Sequence, residues 1–372
     1  MTAMQRKVYG HLPDGRPVHE YTMDNGRGLR LSAITYGGIV TRLEVPDARG
    51  QLANVVLGLP TLEDYVLRNP HFGVIVGRYG NRIANAAFRI DGERHALPAN
   101  DGANCLHGGP RGFGLQLWRA EAESDDCLRF ELDSPDGDQG FPGRLRAVVR
   151  YRLVEDMGWQ VEYEATTDRP TVVNLTHHDY FNLAGHGSAL EHELQIAGSR
   201  YCEIDAASIP TSIAPVAGTP FDFRESQTIA SRLRQGHPQL RHGKGYDHHW
   251  VLDGPVDGPV DGLVDAPVDA SADSRADGQA HLAARLRDPV SGRWMEVLTT
   301  EPGVQFYSGN FLDGSLLGSG GEFIRQGDGL CLETQHAPDS PNRAVSAEWP
   351  STVLRPGEVY RSRTLHRFGA TP

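Results

Sequence analysis

Trp159-Gln160-Val161-Glu162-Tyr163-Glu164-Ala165-Thr166 alternates apolar and polar side chains without a break. Successive side chains of an extended chain point to opposite faces, so this octapeptide reads as a strand with one face in a core and the other toward water. Leu128-Arg-Phe-Glu-Leu-Asp133 and the run from Leu145 to Leu153 repeat the pattern. Phe88 to Leu97 sets Asp91-Gly92 between two strand-like runs, and Asp-Gly tolerates the left-handed backbone that closes a two-residue hairpin. Helix candidates are few and short, Thr61 to Arg68 and Glu225 to Arg234 being the best, and 43 Gly with 24 Pro suits strands joined by turns. The expectation is an all-β fold, a large antiparallel multi-strand sandwich, rather than a string of small domains.

Composition changes only once along the 372 residues, so a single domain over 1–372 is expected, interrupted by a low-complexity insertion at 253–279. From Asp253 to Asp277 an Asp recurs every fourth residue. Seven Asp against Arg275 leave −6, half of the formal −12 of the chain, and the Pro, Gly and Ala between them cannot bury a core. This stretch reads as a solvated loop. Tyr246 to Leu252 before it and Ala283 to Asp288 after it look like strands, which would make them neighbours joined by a long excursion.

The acidic balance disfavours nucleic acid or an anionic membrane as partner. The N-terminal segment has charges but no apolar stretch, and no apolar run approaches a membrane span, so a cytoplasmic protein is expected. Cys105, Cys127, Cys202 and Cys331 show no metal or redox spacing and read as small buried hydrophobes in a reducing compartment. The sequon Asn174-Leu175-Thr176 is then idle.

Glu333 lies in Leu330-Cys331-Leu332-Glu333-Thr334-Gln335, a strand that Pro338 ends, and shares a face with Gln335. A carboxylate flanked by apolar residues is either a partnered structural acid or a tuned base. Three polar clusters carry histidine: Asn174 to Asn182, Tyr246 to Trp250, and Asn104 to Gly109. Alternation forbids His177 and His178 from lining one pocket and puts Asp247 on the face of His249. A metal would need ligands converging from separate strands, and none is expected. Gly77-Arg78-Tyr79-Gly80-Asn81-Arg82 reads as an extended run with both arginines on one side, where Arg82 holds either hydroxyls or a salt bridge. Gly108 and Gly109 permit either close approach of a ligand or a tight turn. Signatures of acyl transfer, nucleotide chemistry and hydride transfer are missing. The remaining inventory suits proton transfer on a neutral, hydroxyl-rich molecule.

The order of these clusters resembles the aldose 1-epimerase, or galactose mutarotase, family along nearly the whole chain. Tyr36-Gly37-Gly38, Val76 to Ala84, Asn100 to Gly109, Asn174 to Leu183, Tyr246-Asp247-His248, Thr300 to Tyr307 and Glu333 to His336 carry the likeness. It implies a β-supersandwich and interconversion of the α and β anomers of free aldoses such as galactose and glucose, with no cofactor, by a monomer or homodimer. Glu333 matches the family's base and His178 its acid. Arg82, His107 and Asp247 match sugar-holding residues, and Gln305 lies in a motif near the same pocket. Rival readings are an epimerase of phosphorylated sugars and a sugar-binding module without catalysis. The family commonly has Asn at His177 and Ser or Thr at Asp179, which sets a second histidine and an extra acid beside the proposed acid.

Overall fold

The computed structural model describes residues 2–154, 157–254 and 280–371. Trp159 lies in the strand Gly158–Thr167, fourth of nine in an antiparallel sheet. Its hydrogen-bonded neighbours are Leu145–Val154 and Tyr360–Ala370. The alternation read from sequence holds, with Trp159, Val161, Tyr163 and Ala165 buried and Glu162 and Glu164 half-buried. Gln160 departs from it and is buried on the opposite face.

Two five-stranded antiparallel sheets accompany this one. The first runs from Thr2–His11 to Leu52–Asn54 in chain order. The second has the order Pro210–Pro215, Arg200–Ile204, Asp247–Val251, Gly303–Tyr307, Cys331–Gln335. One apolar cluster joins all three, bringing Leu31 and Leu43, then Phe130, Val149 and Trp159, then Trp250, Phe306 and Leu332 into contact. The inner face of the second sheet is thereby spent on the core. Its outer face is free to carry polar side chains, and that is where the site lies.

Local signals hold where the chemistry is local. Asp91 (φ 51°) and Gly92 (φ 86°) close the hairpin between Ala87–Ile90 and Glu93–Ala96. Thr61 caps the helix Leu62–Arg68 by accepting from the Asp64 N–H. The second helix candidate is largely wrong: Gln227–Thr228 pairs with the strand Glu193–Ile196 and forms the edge of the nine-stranded sheet, and only Ala230–Leu233 is helical. Edge hydrogen bonds outcompete a four-residue helical turn here.

Three further expectations change. The strands before and after the Asp-rich stretch are not neighbours, because Asp247–Val251 belongs to the five-stranded sheet and His281–Arg287 to the nine-stranded one. The expected loop at 253–279 falls almost wholly outside the described residues. The two arginines diverge, since Asn81 adopts φ 63° and breaks the alternation. Arg78 turns inward to Ser134, Pro135 and Pro142, while Arg82 turns to the site.

Trp159 is fully buried, stacked on His366 at 4.8 Å between ring centroids and edge-on to Tyr151 and His177. Trp159→Ala is expected to cost about 3–5 kcal/mol. Denaturant titration should show a lower midpoint with an unchanged slope; a midpoint within error of wild type would remove this ring from the core argument.

Candidate active site

Within the outer face of the second sheet, Gln305 lies directly opposite Glu333, and His249 opposite Gln305. Alternation sends Trp250, Phe306 and Leu332 to the core and leaves Asp247, Gln305 and Glu333 on the other side. Glu333 is 2 % exposed, yet its Oε2 has no hydrogen-bond partner among the described residues. Gln305 Oε1 and both amide atoms of Gln335 are unmet in the same way. Buried polar atoms are rarely left unpaired, so such a row suits a ligand that is itself rich in hydroxyls.

The strand Thr176–His178 pairs with Val74–Val76 and delivers one histidine to each side. His178 Nε2 stands 3.7 Å from Glu333 Oε1. His177 turns away, its Nδ1 2.5 Å from Asp179 Oδ2 and its Nε2 2.7 Å from the Tyr151 hydroxyl. The extra histidine and acid therefore occupy each other rather than the proposed acid. Behind His178, the Cys331 Sγ lies 3.5 Å from Nδ1. Burial pushes that thiol well above its ordinary range, so it stays protonated. The sequence reading as an inert hydrophobe missed this contact.

A polar clamp completes the wall. Gln305 Nε2 donates to Asp247 Oδ1 at 2.7 Å, Arg82 Nη1 lies 3.8 Å from Asp247 Oδ2, and Arg82 Nε donates to Asp101 at 2.7 Å. His107 arrives on the strand Cys105–Leu106, which pairs with Arg82–Ile83. Its Nδ1 accepts the Asn81 N–H at 3.2 Å, which puts the ring proton on Nε2. Gly108 serves a tight turn rather than a ligand, because a Cβ there would stand 2.0 Å from the Gly77 carbonyl oxygen. The six residues singled out from sequence thus converge. His71, which no motif flagged, joins them, its ring 4.7 Å from that of His107 and 5.6 Å from that of His178.

His107, His178 and Glu333 bring one ligand atom each within 4.8 Å of one another. A cation there would need a lone pair on His107 Nε2, and the Asn81 N–H has already fixed a proton on that atom. The group is better suited to donate to an oxygen than to hold an ion.

Burial sets the electrostatics. It raises Glu333 well above the usual carboxylate range, helped by Asp247 and opposed by Arg82. It lowers His178 well below the usual imidazole range, with His71 adding to the effect. Asp247 is raised by burial against the pull of Arg82 and Gln305. The two shifts run in opposite directions, and both disfavour the doubly ionised pair.

This geometry defines a class, an acid–base site for a neutral polyol on an all-β sandwich. The chain belongs to the aldose 1-epimerase family, whose model matches residues 19–367. It is 40 % identical over 372 residues to a galactose mutarotase of Rattus norvegicus, covering 99 % of each chain. It is 39 % identical over 360 residues to an aldose 1-epimerase of Escherichia coli (strain K12), covering 96 % of each. Among solved structures, a galactose 1-epimerase from Lactobacillus acidophilus superposes with a TM-score of 0.81 at 27 % identity, covering 99 % of both chains.

These directions predict a pH profile. His178 gains a proton only as pH falls through its lowered value, and Glu333 loses one only as pH rises through its raised value. The acid limb of the rate should therefore lie below the ordinary imidazole value of about 6.5. Rate constants corrected for the spontaneous reaction test this; an acid limb above that value would contradict the assigned directions.

Proposed function

We propose that this protein interconverts the α and β anomers of free aldoses, galactose and glucose among them, by opening and reclosing the ring. The observation that carries the reading is the pair Glu333–His178 at 3.7 Å, facing the Arg82–Asp247–Gln305 clamp on the family's fold. Glu333 as carboxylate takes the proton from the anomeric hydroxyl. The C1–ring-oxygen bond breaks as C1=O forms, and protonated His178 gives its proton to the ring oxygen. Rotation about C1–C2 turns the other carbonyl face to the C5 hydroxyl. Closure then returns one proton to His178 and the other from Glu333 to the new anomeric oxygen.

A positioned acid or base typically contributes ~10²–10⁴-fold. Arg82, His107, Asp247 and Gln305 hold the hydroxyls in this reading, His107 as a donor through Nε2. A phosphorylated sugar fits less well, because Arg82 already faces the carboxylates of Asp101 and Asp247. We place the enzyme in the cytoplasm, since its four cysteines are unpaired and buried. No helix among the described residues is long and apolar enough to cross a membrane.

The relaxation of optical rotation of fresh α-D-galactose and α-D-glucose should accelerate with added protein and be indifferent to EDTA. Unchanged relaxation at micromolar protein would favour a binding module. Glu333→Gln and His178→Asn should each slow turnover at least about a hundredfold in folded protein, with saturation by sugar kept in Glu333→Gln.

His177→Asn separates the two histidines by a different readout. It leaves Asp179 without its imidazole partner, so stability should fall by about 3 kcal/mol while turnover per folded molecule changes little. If His177→Asn proves inactive and His178→Asn near normal, the acid has been assigned to the wrong residue.

A further inference from the structure

His71 belongs to a tightly tied loop. Asn69 Oδ1 accepts the Phe72 N–H at 2.7 Å, and Asn69 Nδ2 donates to the Phe72 carbonyl at 3.2 Å. The Pro70 carbonyl accepts from the Tyr180 hydroxyl at 3.1 Å. The Gly73 N–H donates to the backbone carbonyl of His178 itself at 2.9 Å. Within these ties His71 adopts φ 71°, a left-handed backbone uncommon outside glycine, which histidine, like Asn and Asp, visits more than most residues. Its half-buried ring lies against those of His107 and His178, and its nitrogens form no hydrogen bond with another described residue. Burial lowers its imidazole to about 4, so at neutral pH it offers one donor and one acceptor and no charge. A left-handed backbone held on a fixed loop and two ring nitrogens without a protein partner, beside the rings of His107 and His178, are what a substrate contact would explain.

The position relative to acid and base says which part of the sugar is met. The base must reach the anomeric oxygen and the acid the ring oxygen, both bonded to C1. Gln305 and Asp247 lie on the side of Glu333, and so take the hydroxyls beyond C1 in the C2 direction. The ring oxygen has one other neighbour, C5, which therefore faces the wall beside His178. His71 stands on that wall. We propose that His71 is a further substrate-binding residue, meeting the exocyclic hydroxymethyl group on C5 of a hexopyranose and setting a preference for sugars that carry its hydroxyl.

This rests on the anomer-interconverting reading and makes the enzyme select at an atom the chemistry never touches. The probes are D-galactose and D-fucose, which differ only by that hydroxyl. His71→Gly removes the imidazole while suiting φ 71°, and His71→Asn keeps a donor and an acceptor in a residue that tolerates the same backbone.

Wild type should favour galactose over fucose in kcat/KM by about tenfold, the scale of one neutral hydrogen bond. His71→Gly should reduce that ratio to about one by slowing galactose alone, and His71→Asn should restore most of it. Equal losses on both sugars in His71→Gly, or a ratio unchanged from wild type, would overturn the assignment. Wild type inactive on both sugars would instead sink the anomer-interconverting reading itself.

Discussion

The burial of Glu333 and His178 side by side, in a place largely closed to water, is the constraint that orders this structure. Two ionised groups there lose most of their hydration, and the raised carboxyl and lowered imidazole express that cost. In the proposed mechanism the reaction starts from the less favoured tautomer, with the proton on His178, and passes through an open chain with protons moved to Glu333 and to the sugar. Ring opening therefore discharges the pair, and the burial that disfavours the charged form favours the open-chain stage. The sheet serves this by putting Leu332 and Thr334 on one face and Glu333 on the other, so that a core strand presents an acid without breaking the core.

Much of this was legible in the sequence because it is periodic. Alternation along 159–166 located the large sheet, and alternation at 176–178 separated two histidines that composition alone would treat as a pair. The failures share a physical cause, which is that they depend on partners distant in the chain. Glu225 to Arg234 looks helical until Glu193–Ile196 offers Gln227 and Thr228 an edge. Arg78 and Arg82 look parallel until Asn81 turns left-handed. His71 carries no local signal at all, because its meaning lies in two rings brought to it from 36 and 107 residues further along.

The departures at His177 and Asp179 look from sequence like additions to the catalytic chemistry. In three dimensions they form a separate polar unit behind it. The Tyr151 hydroxyl donates to the Gly38 carbonyl at 2.6 Å, so its oxygen receives a proton from His177 Nε2. Both ring nitrogens of His177 then act as donors, one to Tyr151 and one to Asp179. Asp179 is thus partnered by an imidazole two residues away, while burial, with His71 and His177 adding to it, lowers the imidazole on the opposite face. Two histidines adjacent in sequence in this way have separate hydrogen-bond partners, and His177 still adds to the lowering of His178.

The clamp makes the corresponding choice about the substrate. Arg82 supplies the positive charge beside Glu333, and Asp101 and Asp247 face it at 2.7 and 3.8 Å. A ligand with its own negative charge would have to compete with two carboxylates for that guanidinium while approaching a third at Glu333. A neutral polyol faces no such contest, since its hydroxyls both donate and accept. It can meet Asp247, the unpaired Gln305 oxygen and the His107 Nε2 proton at once. In the proposed reading, selection for an uncharged sugar follows from how the charges of the wall are already spent, and it requires no group whose task is to repel an anion.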